Sequence, residues 1–306
     1  MRVLVTGASG LLGLNLALEA APEHTVYGVA HSRRLRTDAF TVIHTDLLAE
    51  GSLERTLDEA RPDWVIHCAA LADIDSCERE PELARRMNWE LPKRMAAATR
   101  GGARLLHIST DAVFDGMRGG YTEEDEPNPL SLYARTKLES ERAVAAENPS
   151  ALIARVNLFG WSASGKRSLA ENFVAHLSQG KAVNGFTDVY FCTLLANHLG
   201  VLLLQMLEAG LEGLYHAVGA ECLTKYDFAV ALARRFGFDE GLVRPIPVAD
   251  SGLAAVRSPR LTLSSSKLAR DLGRPLPTWR EGLEEFYQQY ERGYPQMVRG
   301  MAGDGG

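Results

Sequence analysis

Tyr133 and Lys137 stand four residues apart in a stretch with helical spacing, Ser131 to Ala146, so both side chains leave one face of one helix. A phenol beside an ammonium suits proton exchange with a carbonyl or hydroxyl oxygen, and the positive charge is expected to draw the phenol's pKa down. Upstream, His107-Ile108-Ser109-Thr110-Asp111 closes a short apolar run, which puts the Thr110 hydroxyl at the carboxyl end of a strand, where ligands bind in open parallel sheets. Alone, a Tyr-x-x-x-Lys pair is equally what an amphipathic helix produces by chance. Its chemistry needs a second reactant held nearby.

That reactant has a site at the start of the chain. Val3-Leu4-Val5 runs into Thr6-Gly7-Ala8-Ser9-Gly10-Leu11-Leu12-Gly13, a G-x-x-G-x-x-G turn opening a helix. Gly7 and Gly10 let the turn bend and a diphosphate approach the main chain, while the first helical N–H groups, from Ser9 through Leu11 and Leu12, offer partial positive charge. Gly13 would let helix and strand pack closely. At the end of the second apolar run the chain reads Ala30-His31-Ser32-Arg33-Arg34, with no acidic residue to take ribose hydroxyls. Ser32 and the Arg33 guanidinium suit a 2′-phosphate, which favours NADP(H) over NAD(H); the alternative is a solvated basic loop. Asp46-Leu47 after the third run is placed to meet an adenine amino group and cover its ring, or Asp46 simply caps the next turn.

These residues must be positioned by repeated β-α units. Short apolar runs at Val3–Val5, Val26–Val29, Phe40–Ile43, Trp64–Ile66, Leu105–Ile108 and Leu152–Ala154 alternate with helical spacing at Leu11–Ala20, Ser52–Ala60, Pro81–Arg100 and Ser131–Ala146. The rhythm predicts an α/β fold, a doubly wound parallel Rossmann sheet with right-handed crossovers. It breaks near residue 157. We therefore expect a dinucleotide-binding domain over 1–157 and, over 158–306, a smaller substrate-binding lobe with returns to the main sheet and a mobile tail at 301–306. Helices are expected at 172–178, 194–207, 225–236 and 280–290, and strands at 213–218 and 243–248. Phe286, Tyr287 and Tyr290 should be core.

Composition excludes several classes. The 306 residues are 46% hydrophobic and 24% charged with a net charge of -6, so the body is globular and no global field draws it to nucleic acid or an anionic membrane. Cys68, Cys77, Cys192 and Cys222 share no C-x-x-C spacing and read as reduced thiols. Cys68 is expected to be a buried, inert one. No signal peptide is visible ahead of Val3-Leu4-Val5 and no apolar run approaches bilayer length, so a cytoplasmic protein is expected. The eight histidines show no H-x-x-x-H grouping, and no metal site is expected.

The order and spacing of these features resemble the extended short-chain dehydrogenase/reductase family over nearly the whole chain. Within it, His67-Cys68-Ala69-Ala70-Leu71-Ala72-Asp73-Ile74-Asp75-Ser76-Cys77-Glu78, Asn88, Ser109-Thr110-Asp111-Ala112-Val113-Phe114-Asp115-Gly116 and Arg257-Ser258-Pro259-Arg260 look like the dTDP-4-dehydrorhamnose reductase group. The resemblance implies Thr110, Tyr133 and Lys137 as catalytic trio, Ala69, Ala70, Leu71 and Ser109 against the cofactor, and a lobe that selects a nucleotide sugar. Candidate substrate contacts there are Asn172, Lys181, Arg257 and Arg260. It also implies oxidoreductase chemistry on a 4-keto deoxysugar nucleotide, as in dTDP-rhamnose biosynthesis, and a homodimer. Two stretches depart from the pattern: Ala112 stands where relatives commonly carry tyrosine, and Thr187-Asp188-Val189-Tyr190-Phe191-Cys192-Thr193 matches the usual Asp-Gln-x-Gly-x-Pro-Thr loop loosely. The sugar's identity is what they leave open. A nucleotide-sugar 4-epimerase or dehydratase, and an NADP-binding regulatory subunit similar to methionine adenosyltransferase β, are the alternative readings.

Overall fold

The computed structural model describes residues 1–251 and 258–303. Seven strands, β1 (Arg2–Thr6), β2 (Thr25–Ala30), β3 (Thr41–His44), β4 (Trp64–His67), β5 (Arg104–Thr110), β6 (Leu152–Val156) and β7 (Gly213–Ala217), form one parallel sheet in the order β7-β6-β5-β4-β1-β2-β3. The chain winds outward from β1 to β3, then returns to lay β4 on the other side of β1, with Val3 flanked by Val26 and Trp64. That reversal opens a crevice at the carboxyl edge between β1 and β4.

Helices α1 (Leu11–Ala20), α2 (Ser52–Ala60), α3 (Leu91–Thr99), α4 (Leu132–Glu147) and α5 (Ala196–Glu208) cover the sheet. Alternation along the strands divides the core. Val3, Val5, Ile66, Leu106 and Ala154 face α1 and α5, while Leu4, Val65, Leu105 and Ile153 face α2, α3 and α4. A side chain at Gly200 of α5 would stand 3.1 Å from the Leu16 Cα, so glycine there permits the close crossing with α1.

The remaining chain forms a lobe of helices Leu169–Leu177, Lys225–Phe236 and Trp279–Glu291 with short pairings between them. Ser168 with Glu171 and Thr278 with Glu281 make reciprocal N-terminal caps. Tyr190–Phe191 runs between Leu223–Thr224, antiparallel, and Arg260–Leu261, parallel. Among the described residues no helix is long and apolar enough to cross a membrane.

Four expectations are corrected. The stretch 81–100 is not one helix: it runs as Pro81–Arg85, a wide π turn over Arg86–Glu90, then α3. Pro92 has no N–H to give the Asn88 carbonyl, and the Leu91 N–H reaches back to Arg86 instead. Cys192 and Cys222 are not free thiols but a disulfide, because the pairing of Phe191 with Leu223 brings the adjoining cysteines together; Cys68 and Cys77 are free. Residues 301–303 of the expected mobile tail are ordered against residues 34–36 through the Leu35–Ala302 bridge, while 304–306 lie outside the described residues. Phe286 is core, but Tyr287 is only half-buried, and Tyr290 is 38% exposed and rims Trp161 and Phe236.

Candidate active site

The glycine turn fits a dinucleotide. Gly7 has φ +69°, and a Cβ on it would stand 2.8 Å from the Ala69 nitrogen; one on Gly13 would overlap the Gly7 carbonyl oxygen. Glycine is therefore required twice in seven residues. Gly10 caps α1 with no side-chain hydrogen bond, and the first turn carries no acidic residue. The N–H groups of the first turn, with Leu11 and Leu12, are thus left for an anion rather than consumed by a cap. Ser9 is half-buried in the same turn, and Ser32, Arg33 and Arg34 are exposed at the carboxyl end of β2. Among the described residues neither guanidinium group makes a hydrogen bond or ion pair. Asp46 Oδ1 accepts from the Leu48 N–H at 2.9 Å, a turn contact, and Leu47 packs in the layer beneath β1 and β2.

The loop after β4 carries Ala69, Ala70 and Leu71 across the crevice from this turn. Ala69 N–H donates to Thr6 Oγ1 at 3.2 Å, tying it to β1. Asn88, fully buried and aimed inward by the π turn, accepts from the Leu71 N–H at 2.8 Å and donates to Leu71 O at 3.0 Å and Thr136 Oγ1 at 3.2 Å. It couples the cofactor-side loop to α4. The sequence showed Asn88 without giving it a role; the signal that could have supplied one is Pro92 four residues on, which forces the wide turn.

Thr110 ends β5, and its hydroxyl, which donates to Asp111 Oδ1 at 3.2 Å, also acts on the Tyr133 phenol. Ser131 caps α4 by accepting from the Ala134 N–H, which starts the helix where Tyr133 faces the strand end and Lys137 lies one turn deeper. Lys137 Nζ donates to Ile108 O at 2.7 Å and stands 3.3 Å from His107 Nε2. Burial pulls the Lys137 ammonium down to about 8, partly opposed by the Glu141 carboxylate. The expected lowering of Tyr133 does not occur: burial pushes its phenol up to about 12, the Thr110 bond partly offsets this, and the Asp111 carboxylate adds to it. Lys137 spends its charge on the Ile108 carbonyl rather than on the phenol. His67 and His107 stack with ring centroids 5.7 Å apart. Burial and the Lys137 charge hold both neutral, His67 at about 3 and His107 well below its usual value.

Behind the strand end, Arg155 of β6 holds Glu141 of α4 through two bonds, 3.0 Å from Nε and 2.7 Å from Nη2, with both side chains buried. Ser109 donates to the same carboxylate at 2.5 Å, so its hydroxyl is turned into the protein and only its main chain faces the crevice edge. Cys68 is half-buried, and desolvation pushes its thiol up to about 12, the chemistry of an inert cysteine.

Next to Thr110 opens a cavity of about 140 Å³, lined on the sheet side by Asp111, Ala112 and Asn157 and on the lobe side by Tyr190, Phe191 and Lys225. Asn157 Nδ2 donates to Asp111 Oδ2 at 2.6 Å; burial nevertheless raises the Asp111 carboxyl to about 6. Ala112 contributes only a methyl to this wall. The expected contacts Asn172 and Lys181 do not line the cavity; both are exposed, Asn172 on the helix Leu169–Leu177 and Lys181 just beyond its end. Arg260 is exposed beside it, with its neighbours Ser258 and Leu261 in the wall, and Arg257 lies outside the described residues. Asn157, Tyr190 and Lys225 were missed because each stands in a loop or at an element's end, where periodicity carries no signal.

The sequence model of the RmlD substrate binding domain family matches residues 1–292. A dTDP-4-dehydrorhamnose reductase of Mycolicibacterium smegmatis is 34% identical over 93% of this chain and 84% of its own. Methionine adenosyltransferase 2 subunit beta of Xenopus laevis is 32% identical over 93% of this chain and 86% of its own. The crystal structure of a dTDP-4-dehydrorhamnose reductase from Bacillus anthracis in complex with NADP superposes with a TM-score of 0.82 at 26% identity, covering 94% of this chain and 99% of that one.

Proposed function

The chain belongs to the RmlD substrate binding domain family, and from that premise we propose that it is an NADPH-dependent reductase of a 4-keto deoxysugar carried on a nucleotide. The observation that carries this reading is the Thr110 hydroxyl acting on the Tyr133 phenol, beside a cavity whose wall holds their chain neighbours Asp111, Ala112 and Ser131, with Lys137 one turn deeper on the same helix as Tyr133. Gly7, Gly10 and Gly13 with the N–H groups opening α1 would hold the diphosphate, Arg33 and Arg34 the 2′-phosphate, and Lys137 the ribose hydroxyls. NADPH supplies a hydride to the carbonyl carbon when bound. Thr110 holds the carbonyl oxygen, and Tyr133 gives its proton to that oxygen as negative charge develops. Asn88 holds the loop after β4 against α4. Nucleotide-sugar binding in the lobe places the ketone, with Asp111 and Asn157 reading the ring hydroxyls.

Reduction of a ketone needs a proton donor, and the buried Tyr133 phenol is protonated at neutral pH. Against a purely regulatory subunit stand the intact trio and the open cavity beside it. The test is to give the purified protein NADPH and a panel of 4-keto and 4-hydroxy nucleotide sugars. Stoichiometric loss of NADPH absorbance with a 4-keto member is expected. Redox-neutral conversion of a 4-hydroxy sugar would replace the reading with an epimerase, and tight NADPH binding with no turnover anywhere would replace it with a binding subunit.

A further inference from the structure

We propose that Met301–Gly303 is a positioning element of the cofactor site, holding the loop that carries Arg33 and Arg34 in the conformation that meets the 2′-phosphate of NADPH. The proposal rests on the reading of that loop as the phosphate reader. The loop leaves β2 at the sheet's carboxyl edge and is pinned from several sides. Leu35 is 2% exposed and sinks into the apolar layer shared with α1, and its carbonyl lies 3.2 Å from His44 Nε2. Segment 301–303, far away in sequence, supplies the rest. The Arg36 N–H donates to Met301 O at 2.8 Å and the Gly303 N–H donates to Arg34 O at 2.9 Å, an antiparallel bridge centred on Leu35 and Ala302. Met301 and Ala302 pack on the same apolar layer.

Between these pins the two exposed guanidinium groups have no partner among the described residues. A charged group that needs no internal partner, on a main chain fixed by long-range bonds, is arranged for a ligand rather than for the fold. A free loop would spend binding energy on becoming ordered; here folding has already ordered it. Nothing in segment 301–303 need touch the cofactor, so its effect should fall on the phosphate contact alone.

Gly303→Pro removes the donor to Arg34 O. Titrations of the full chain should show NADPH binding weakened roughly fivefold and NADH binding changed less than about twofold. In an Arg33→Ala/Arg34→Ala background the same substitution should have no further effect on NADPH, because the groups it positions are gone. Equal losses for both cofactors, or a loss that persists in the double-alanine background, would mean that the segment only supports the fold and would overturn the proposal. A silent Gly303→Pro beside effective arginine substitutions also overturns it while leaving the phosphate reading intact; ineffective arginine substitutions sink the phosphate reading itself. Should Gly303→Pro fail to fold, a chain ending at Gly300 is read by the same two titrations.

Discussion

On the sheet side of the cavity, Thr110 ends a seven-residue strand paired on both flanks, and Asp111 and Asn157 follow β5 and β6 at once. On the lobe side, Tyr190 and Phe191 form a two-residue strand, Lys225 opens a helix, and Leu261 closes another two-residue strand. The first wall is fixed by a sheet buried on both faces and by the Arg155–Glu141 pair behind it. The second is held by two-residue pairings and the Cys192–Cys222 disulfide. The wall that cannot drift therefore backs the proposed reacting groups Thr110, Tyr133 and Lys137, while the lobe wall holds residues that can change without disturbing the sheet. The difference predicts that changes to this trio act on turnover, and that changes to residues lining the cavity, Asp111 and Asn157 included, act on substrate affinity.

Tyr133→Phe should show the largest effect, a fall in kcat of roughly 10² or more with NADPH affinity nearly unchanged. Steady-state kinetics beside a cofactor titration measure both. A loss confined to KM would break the division of labour between the trio and the cavity lining.

Lys137→Met should cost turnover on a similar scale while making the protein more stable. Burial lowers the ammonium from its ordinary 10.5 to about 8. A lysine whose folded pKa is depressed carries its cost in full below about pH 8, and the cost disappears as pH rises toward the unfolded value. That shift is worth on the order of 3 kcal/mol, and loss of the bond to Ile108 O returns part of it, so a net gain of about 1 to 3 kcal/mol is expected at pH 7. Denaturant melts at pH 7 and pH 10 should show the gain shrinking at the higher pH. A destabilised variant at both would mean that the charge is held for the fold and not for the site.

The sheet wall was legible in the sequence and the lobe wall largely was not. Strand runs such as Leu105–Ile108 and the glycine turn announce themselves because a parallel strand buried on both faces must be apolar and a diphosphate cradle must lack Cβ atoms. Helices α1 and α2 fall where their spacing put them. Nothing comparable marks Tyr190 or Lys225, whose placement depends on two short pairings between distant segments. The Cys192–Cys222 bridge was illegible for the same reason, since it follows from the pairing of Phe191 with Leu223. Tyr133 falls on the helix its spacing placed it on, but its phenol is raised rather than lowered, because the sequence shows the neighbouring Lys137 and hides the desolvation and the Asp111 carboxylate.

Asn157 against Asn172 is a more direct test of where the substrate sits, with an intermediate effect. Asn157→Ala removes the donor at 2.6 Å from a buried carboxylate and should raise KM by roughly tenfold, the usual worth of one buried polar contact, while Asn172→Ala, on the exposed face of its helix, should change nothing. The reverse result would move the sugar away from Asp111.

The smallest expected effect is the pH dependence that Asp111 imposes. Its carboxyl titrates near 6 rather than 3.8 because it is buried, although Asn157 and Thr110 both donate to it. A carboxyl raised in this way carries its cost above about pH 6, and the cost is relieved as pH falls toward the unfolded value, so Asp111 should not be what unfolds the protein in mild acid. Its effect should appear in substrate binding instead. Below pH 6 the neutral acid no longer accepts from two donors and a sugar hydroxyl together, and kcat/KM should fall several-fold with an apparent pKa near 6 in the free enzyme. In Asp111→Asn that acid limb should vanish, leaving a lower and flat profile. An acid limb surviving unchanged in the variant would assign the titration to another group and remove Asp111 from the sugar-reading wall.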